Sequence, residues 1–263
     1  MTSALVRPGQ SQGSLRSLVR PLLPIACSLA FAGCYVDPED PRDPTDSNAS
    51  AEGTTTTGGE MGDVIEILPE NMIDDLEDCD DAIIEQGGRG GSWYSYNDAS
   101  GGTQSPSGTQ SPANGGIEGS DMCHAMTMGG GFSEWGSGVG FDFVNDGTTK
   151  MPWDGSAHTG VVFWARGSVT DLRVNLLVPE VLAETEGGEC VPSSPETDDC
   201  SDAHGMMIAL TDEWQQFQVP FASITQGGWG QPVAFDPAKL MSMHWYIPQD
   251  QDFELFIDDI GFY

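Results

Sequence analysis

The chain has 263 residues, with 41 Asp and Glu against 9 Lys and Arg, and a formal net charge of −32. That balance excludes nucleic acid and anionic membrane surfaces as partners, because neutralising phosphate needs clustered Lys and Arg. It fits high solubility, calcium affinity or a saline exterior without selecting among them, and the length admits one large domain or two small ones.

Arg7, Arg16 and Arg20 precede an apolar run over residues 21–31, which leads into Ala32, Gly33 and Cys34. A basic start, a short apolar run and small residues before a break describe an export signal over residues 1–33. The run is too short and too interrupted by proline to cross a bilayer. Ala32-Gly33-Cys34 resembles the lipobox of bacterial lipoproteins, although Phe31 stands where that motif usually has leucine. The resemblance implies a lipid on Cys34 and an exported protein anchored in the cell envelope, at the outer membrane or cell surface. An ordinary secretory signal cut near Gly33, or modification at Cys27, are the alternatives. Residues 34–63 carry Asp-Pro-Glu-Asp-Pro, a threonine run and Gly-Gly-Glu, with almost nothing to bury. They read as a disordered acidic linker that holds the following domain roughly 30 Å from its anchor.

The folded domain is expected over residues 64–263. Alternating apolar and polar residues bounded by Gly, Asp, Asn and Pro predict nine strands: 72–77, 93–97, 122–128, 138–144, 160–166, 172–179, 214–220, 240–247 and 253–263. No segment has the period of a long amphipathic helix, so the fold class is all-β, a two-sheet sandwich or jelly roll. Residues 99–120, with the repeat Gly-Thr-Gln-Ser-Pro, and residues 184–202 read as long surface loops. In the last strand Asp258 and Asp259 interrupt an apolar run. Neighbouring side chains in a strand face opposite ways, so one carboxylate is driven inward, with Asp258 preferred. There it needs hydrogen bonds, a cation or a metal.

Removing the signal and lipidating Cys34 leaves Cys79, Cys123, Cys190 and Cys200, an even number in an exported chain. Three pairings are possible. The short separation favours Cys190–Cys200, a clasp around the Pro- and Asp-rich loop between them, which leaves Cys79–Cys123. Zinc is the rival reading, disfavoured by the lack of paired CxxC spacing.

Three stretches together resemble a known family. They are Met72-Ile-Asp-Asp-Leu-Glu-Asp78 with Gly87-Gly-Arg-Gly-Gly-Ser-Trp-Tyr-Ser-Tyr-Asn-Asp98; Gly160-Val-Val-Phe-Trp-Ala-Arg-Gly167; and Thr211-Asp-Glu-Trp-Gln-Gln-Phe-Gln-Val-Pro-Phe221, with Gln226-Gly-Gly-Trp-Gly230 and the closing strand. Their order is similar to that in galactose-binding-like jelly rolls. The resemblance is strongest to family eleven carbohydrate-binding modules and the complex I intermediate-associated protein domain, over residues 72–263. It implies a jelly roll that binds a β-glucan-like or other extracellular or cell-wall glycan. It also implies a structural calcium (Ca2+) where the first strand meets the last, with Asp75, Glu77 and Asp258 or Asp259 as ligands. Calcium favours such hard oxygen donors. Solvated strand ends, or pairing with Arg89, are the alternatives for these acids.

Sugar sites combine flat aromatic rings with planar polar groups. The aromatic candidates are Tyr94, Tyr96, Trp229 and Tyr246, and the polar candidates are Arg166, Arg173, Asn175 and His244. His244 shares a face with Tyr246, and Arg173 with Asn175. Trp164 and Trp214 read as packing residues. The four histidines are scattered outside any HExxH pair, and no Gly-x-Ser-x-Gly elbow occurs. The expected function is therefore non-catalytic glycan binding. An envelope scaffold that binds another protein is the alternative, and a polysaccharide hydrolase the lesser one.

Overall fold

The computed structural model describes residues 63–107, 113–120 and 122–263. The export signal, Cys34 and the acidic linker up to residue 62 lie outside the described residues. From Val64 onward the chain forms two antiparallel sheets packed face to face, a β-sandwich of jelly-roll type.

One sheet has five strands in the order β2 (Trp93–Asn97), β6 (Gly136–Asp142), β11 (Ser242–Pro248), β8 (Leu172–Leu177) and β9 (His204–Ile208). The other has seven. Its main path runs β10 (Gln215–Pro220), β7 (Gly160–Gly167), β12 (Phe253–Phe262), β5 (Cys123–Gly130) and β3 (Thr103–Ser105). Two short strands join it: β1 (Met72–Asp74) pairs with β12, and β4 (Ala113–Asn114) with β5.

Period-two alternation builds the core. Along β11, Met243, Trp245 and Ile247 enter it, while Ser242, His244 and Tyr246 face the other way. Trp93 stacks on Trp245 at 5.5 Å, and Phe163 of the opposite sheet meets Trp245 edge-on at 5.2 Å. Such aromatic pairs add about 1 kcal/mol beyond the burial of their area. Trp93 Nε1 also donates to Asp74 Oδ2 at 2.6 Å, which ties β2 to the opposite sheet's β1.

All nine expected strands are present, and the structure adds three. Thr103–Ser105 and Ala113–Asn114 pair with β5 inside a stretch expected to be loop, and His204–Ile208 pairs with β8. Their sequences are short, polar or glycine-bearing, so tertiary pairing rather than propensity makes them strands. β1 stops at Asp74, three residues early, because Asp74 Oδ1 accepts the Leu76 amide and Leu76 turns to a φ of +59°. Trp164 lies outside the core, since its neighbours Phe163 and Ala165 occupy it. The disulfides pair Cys79 with Cys123 and Cys190 with Cys200.

In the closing strand a bulge decides where the two aspartates go. The register with β7 shifts between Asp258 and Gly261, and Asp259 has a φ of +41°. One extra residue lets Ile257 and Ile260 both reach the core. Asp258 is the buried one, at 0% exposure, but it points to the sheet's outer face. It is buried there because the Ile117 amide donates to its Oδ2 at 2.9 Å and Gly116 packs so close that a Cβ would overlap it.

The outer face of the seven-stranded sheet also carries the start of the domain. Gln216 exchanges two hydrogen bonds with the backbone of Ile65, and Gln218 donates to the Asp63 carbonyl. Ile67 lies directly on Gly261.

Candidate functional site

The outer face of the five-stranded sheet is organised in two adjacent rungs. Tyr94, Gly140, His244, Asn175 and Gly205 form one; Tyr96, Gly138, Tyr246, Arg173 and Met207 form the next. Pairing in register therefore brings six of the eight sequence-predicted ligand residues onto neighbouring positions. Strand β6, between β2 and β11, contributes glycine to both rungs for a steric reason. A Cβ on Gly138 would overlap the Tyr96 ring, and one on Gly140 would overlap His244. Without those side chains, Tyr96 and His244 lie across the strand as the floor of a groove.

The groove encloses about 970 Å³. Its aromatic end is a cluster of near-parallel rings: Trp135 lies 6.1 Å from Tyr96 at 29° and 6.5 Å from Tyr246 at 27°. The Tyr246 hydroxyl donates to the Trp135 carbonyl, and the Tyr96 ring lies 4.8 Å from His244. Trp229, 58% exposed, stands in the opposite wall with Asp198, Ser201 and Asp202.

Beneath the first rung is a closed polar network. Asp142 accepts from Tyr94 Oη at 3.0 Å, Ser242 Oγ at 2.7 Å and Asn145 Nδ2 at 2.7 Å, and pairs with Lys150 Nζ at 3.0 Å. Tyr94 Oη is also 2.6 Å from His244 Nε2. Since the hydroxyl has one proton and gives it to Asp142, Nε2 carries the imidazole proton and Nδ1 is left as an acceptor. Burial pushes the His244 imidazole down to about 3, with Lys150 adding to the effect and Asp142 opposing it, so the ring is neutral. Burial likewise raises the Tyr94, Tyr96 and Tyr246 hydroxyls above the usual phenol range. On the second rung Arg173 Nε donates to Asn175 Oδ1 at 2.9 Å, and Nη2 donates to the Thr225 carbonyl. Both groove cations are thus committed to the protein itself. What the groove offers a ligand is flat rings, an amide, an imidazole, hydroxyls and the exposed carboxylates of Glu186 and Asp198.

Arg166 is not part of this site. It sits on β7 in the other sheet, its guanidinium 3.9 Å from the Phe256 ring and 5.2 Å from that of Trp214. Arg166 was expected beside Arg173 and Asn175 as a polar candidate, but β7 and β8, consecutive in sequence, belong to different sheets. Alternation reveals which residues share a face of one strand; it does not reveal the sheet. Trp135 and Lys150 are groove residues that the sequence reading missed. The available signal was the alternating glycine of Gly136-Ser-Gly-Val-Gly140, a strand with one face stripped of side chains.

The four predicted metal ligands gather at the other sheet, where β1 meets β12. Burial raises Asp258 to about 7, with Asp259 and Glu77 adding repulsion. Asp259 is raised as well, first by burial and then by Asp75 and Glu77. Glu77 Oε1 accepts from Ser120 Oγ at 3.2 Å and the Met122 amide at 3.1 Å, and Asp75 Oδ1 accepts the Glu77 amide at 3.3 Å. Arg89 does not neutralise them: it donates to the Met72 and Gln86 carbonyls and lies over Trp153 and Phe262. The donors are all oxygens, the kind calcium takes. Among the described residues, no three His, Cys, Asp or Glu side chains converge on a single metal position.

No protein-family model matches the chain, and no curated protein sequence matches it. Among solved structures it is similar to the family 11 carbohydrate-binding module of a cellulosomal cellulase of Clostridium thermocellum, at 15% identity and a TM-score of 0.48, over 75% of this chain and 95% of that one. A family 11 module from Clostridium thermocellum in complex with a β-1,3-1,4-mixed-linked tetrasaccharide is similar at 15% identity and a TM-score of 0.45, over 73% and 94%. A family 30 carbohydrate-binding module of another cellulosomal cellulase of that organism is similar at 12% identity and a TM-score of 0.47, over 73% and 95%. At such identities the ligand has to be argued from the groove's own residues.

Proposed function

We propose that the protein is a non-catalytic glycan-binding module whose ligand lies across the two rungs of the five-stranded sheet. The observation that carries this reading is the cluster of near-parallel rings of Tyr96, Trp135 and Tyr246 beside a glycine-bearing strand, bordered by Asn175, His244 and Arg173. Sugar rings present apolar C–H faces to such a surface and hydroxyls to the planar polar groups beside it. With Lys150 and Arg173 both engaged internally, an uncharged β-glucan-like or other extracellular glycan suits the groove better than an acidic one. A glycan array probed with the exported protein tests the reading: retention of a glycan, lost in Tyr246→Ala, supports it. A featureless array together with a co-purifying envelope protein would replace it with a protein-binding scaffold. Turnover of a polysaccharide that disappears with one carboxylate substitution would replace it with a hydrolase.

The proposal extends to export, anchoring and calcium. Two disulfides suit an oxidising compartment, and the lipobox-like Ala32-Gly33-Cys34 supports a lipid on Cys34 at the cell envelope. The mass of the mature N-terminal peptide reads this directly, and an unmodified Cys34 would refute the anchor. Calcium held by Asp75, Glu77, Asp258 and Asp259 would join the first and last strands. A melting midpoint that stays the same with and without chelator would count against it.

A further inference from the structure

The two groove tryptophans raise a problem that burial does not solve. Trp135 is 43% exposed and Trp229 is 58% exposed, and both ride on glycine-bearing loops. A loose tryptophan would have to be ordered when ligand binds, at a cost in affinity. Resting on the reading of the groove as a glycan site, we propose that Asp98 and Asp202 are positioning residues that hold Trp135 and Trp229 in place before the ligand arrives.

The two devices are built alike. Asp98 Oδ2 accepts the amides of Glu134 at 3.0 Å, Trp135 at 3.0 Å and Gly136 at 2.8 Å. Its Oδ1 accepts the amide and hydroxyl of Ser100 at 2.9 and 2.6 Å, and Ser100 Oγ in turn accepts the Ser133 amide at 2.8 Å. Asp202 Oδ2 accepts the amides of Gly228 at 2.8 Å, Trp229 at 3.1 Å and Gly230 at 3.0 Å, while Oδ1 accepts that of Gly227 at 2.7 Å. Each carboxylate therefore fills a nest of successive backbone N–H groups, the arrangement that binds anions. Asp202 is only 3% exposed, so its charge is bound to that nest and is not offered to solvent.

Placement strengthens the argument. β2 and β9 are the two edge strands of the five-stranded sheet; Asp98 directly follows β2, and Asp202 stands two residues before β9. Each edge of the groove floor thus extends one carboxylate to clamp the loop beside it. A second tie holds the Trp229 loop: Gln231 donates to the Val191 carbonyl at 2.7 Å and to the Asp199 carbonyl at 2.9 Å, within the loop that Cys190–Cys200 closes. Burial alone would raise the Asp98 carboxyl, but bonds from Ser100, Gly136 and Glu134 hold it well below the usual carboxylate range. The Asp98 clamp therefore favours the charged carboxylate.

Asparagine is the isosteric test, because it turns an acceptor-only group into one with an NH2 facing backbone N–H donors. Titration uses the exported protein with a panel of soluble neutral glucans, xylans and galactans. Asp98→Asn and Asp202→Asn should each weaken binding roughly tenfold. In a Trp135→Ala background Asp98→Asn should cost no further affinity, and likewise Asp202→Asn in Trp229→Ala. If an asparagine variant does not fold, Ser100→Ala, which removes the hydroxyl joining Asp98 to the Ser133 amide, and Gly228→Ala loosen the same loops while both carboxylates remain. Gly228 has a φ of +86°, which alanine would strain; the same tryptophan-dependent loss is expected from both variants. Full affinity in these variants, or equal losses with and without the tryptophan, would overturn the proposal while leaving the glycan reading intact. A wild-type protein that binds nothing in the panel overturns the glycan reading itself, and this proposal with it.

Discussion

The two outer faces of the sandwich treat their exposed side chains in opposite ways. On the seven-stranded sheet the chain covers itself: Gly116 and Ile117 lie over Asp258, Ile67 lies on Gly261, and Phe256 and Trp214 stack on Arg166. On the five-stranded sheet, glycine on β6 between the aromatic residues of β2 and β11 leaves a trough, and the rings beside it lie across it. Both faces contain aromatics, a guanidinium and carboxylates. Composition therefore does not mark the proposed binding face, and neither does open space alone, since about 780 Å³ also lies open beside β3, β5 and β12; a trough floored by aromatic rings does.

That contrast can be broken from either side. The largest effect is expected from filling the open face. Gly140→Val would force His244 off the floor, remove glycan binding, and cost about 1–3 kcal/mol of stability through overpacking, read by titration and by denaturant unfolding. Trp135→Ala should weaken binding roughly tenfold, the value of about 1.4 kcal/mol, while shifting the melting midpoint little.

On the covered face, Asp258→Asn should depend on calcium. Because the Asp258 carboxyl is raised from 3.8 to about 7, the stability it contributes is full below 3.8 and is lost as pH rises through about 7. In chelator, the wild-type protein should therefore gain stability on acidification across that window, and Asp258→Asn should flatten the gain. With calcium, the same substitution should lower the midpoint. Opposite behaviour in chelator would show that burial, with the neighbouring carboxylates, does not raise Asp258.

His244 sharpens the open face through pH. Its imidazole falls from 6.5 to about 3, so stability associated with the neutral ring is present above 6.5 and is lost as pH drops toward 3. Glycan affinity should stay level through 6.5, and a titration step there would contradict a buried neutral ring. The smallest effect is expected from Arg166→Met, which should leave glycan affinity unchanged and stability within about 1 kcal/mol.

Much of the sandwich was legible because buried strands must alternate, and Val161 to Arg166 or Met243 to Ile247 show the alternation plainly. Residues sharing one face of one strand were legible for the same reason, as with His244 and Tyr246 or Arg173 and Asn175. Assignment of strands to sheets was not, and Arg166 was misplaced because neighbours in sequence crossed between layers. The bulge at Asp259 was hidden too, since one inserted residue leaves no mark in an apolar run. Trp135 was passed over because its role arises from a loop held by a carboxylate 37 residues earlier in the chain.

The bonds that Gln216 and Gln218 make to residues 63 and 65 fix where the polypeptide enters its domain. Entry lies on the back of the sandwich, and the groove opens from the front. The residues at 63 and 65 therefore dock on the face opposite the groove and take up none of the surface that lines the trough.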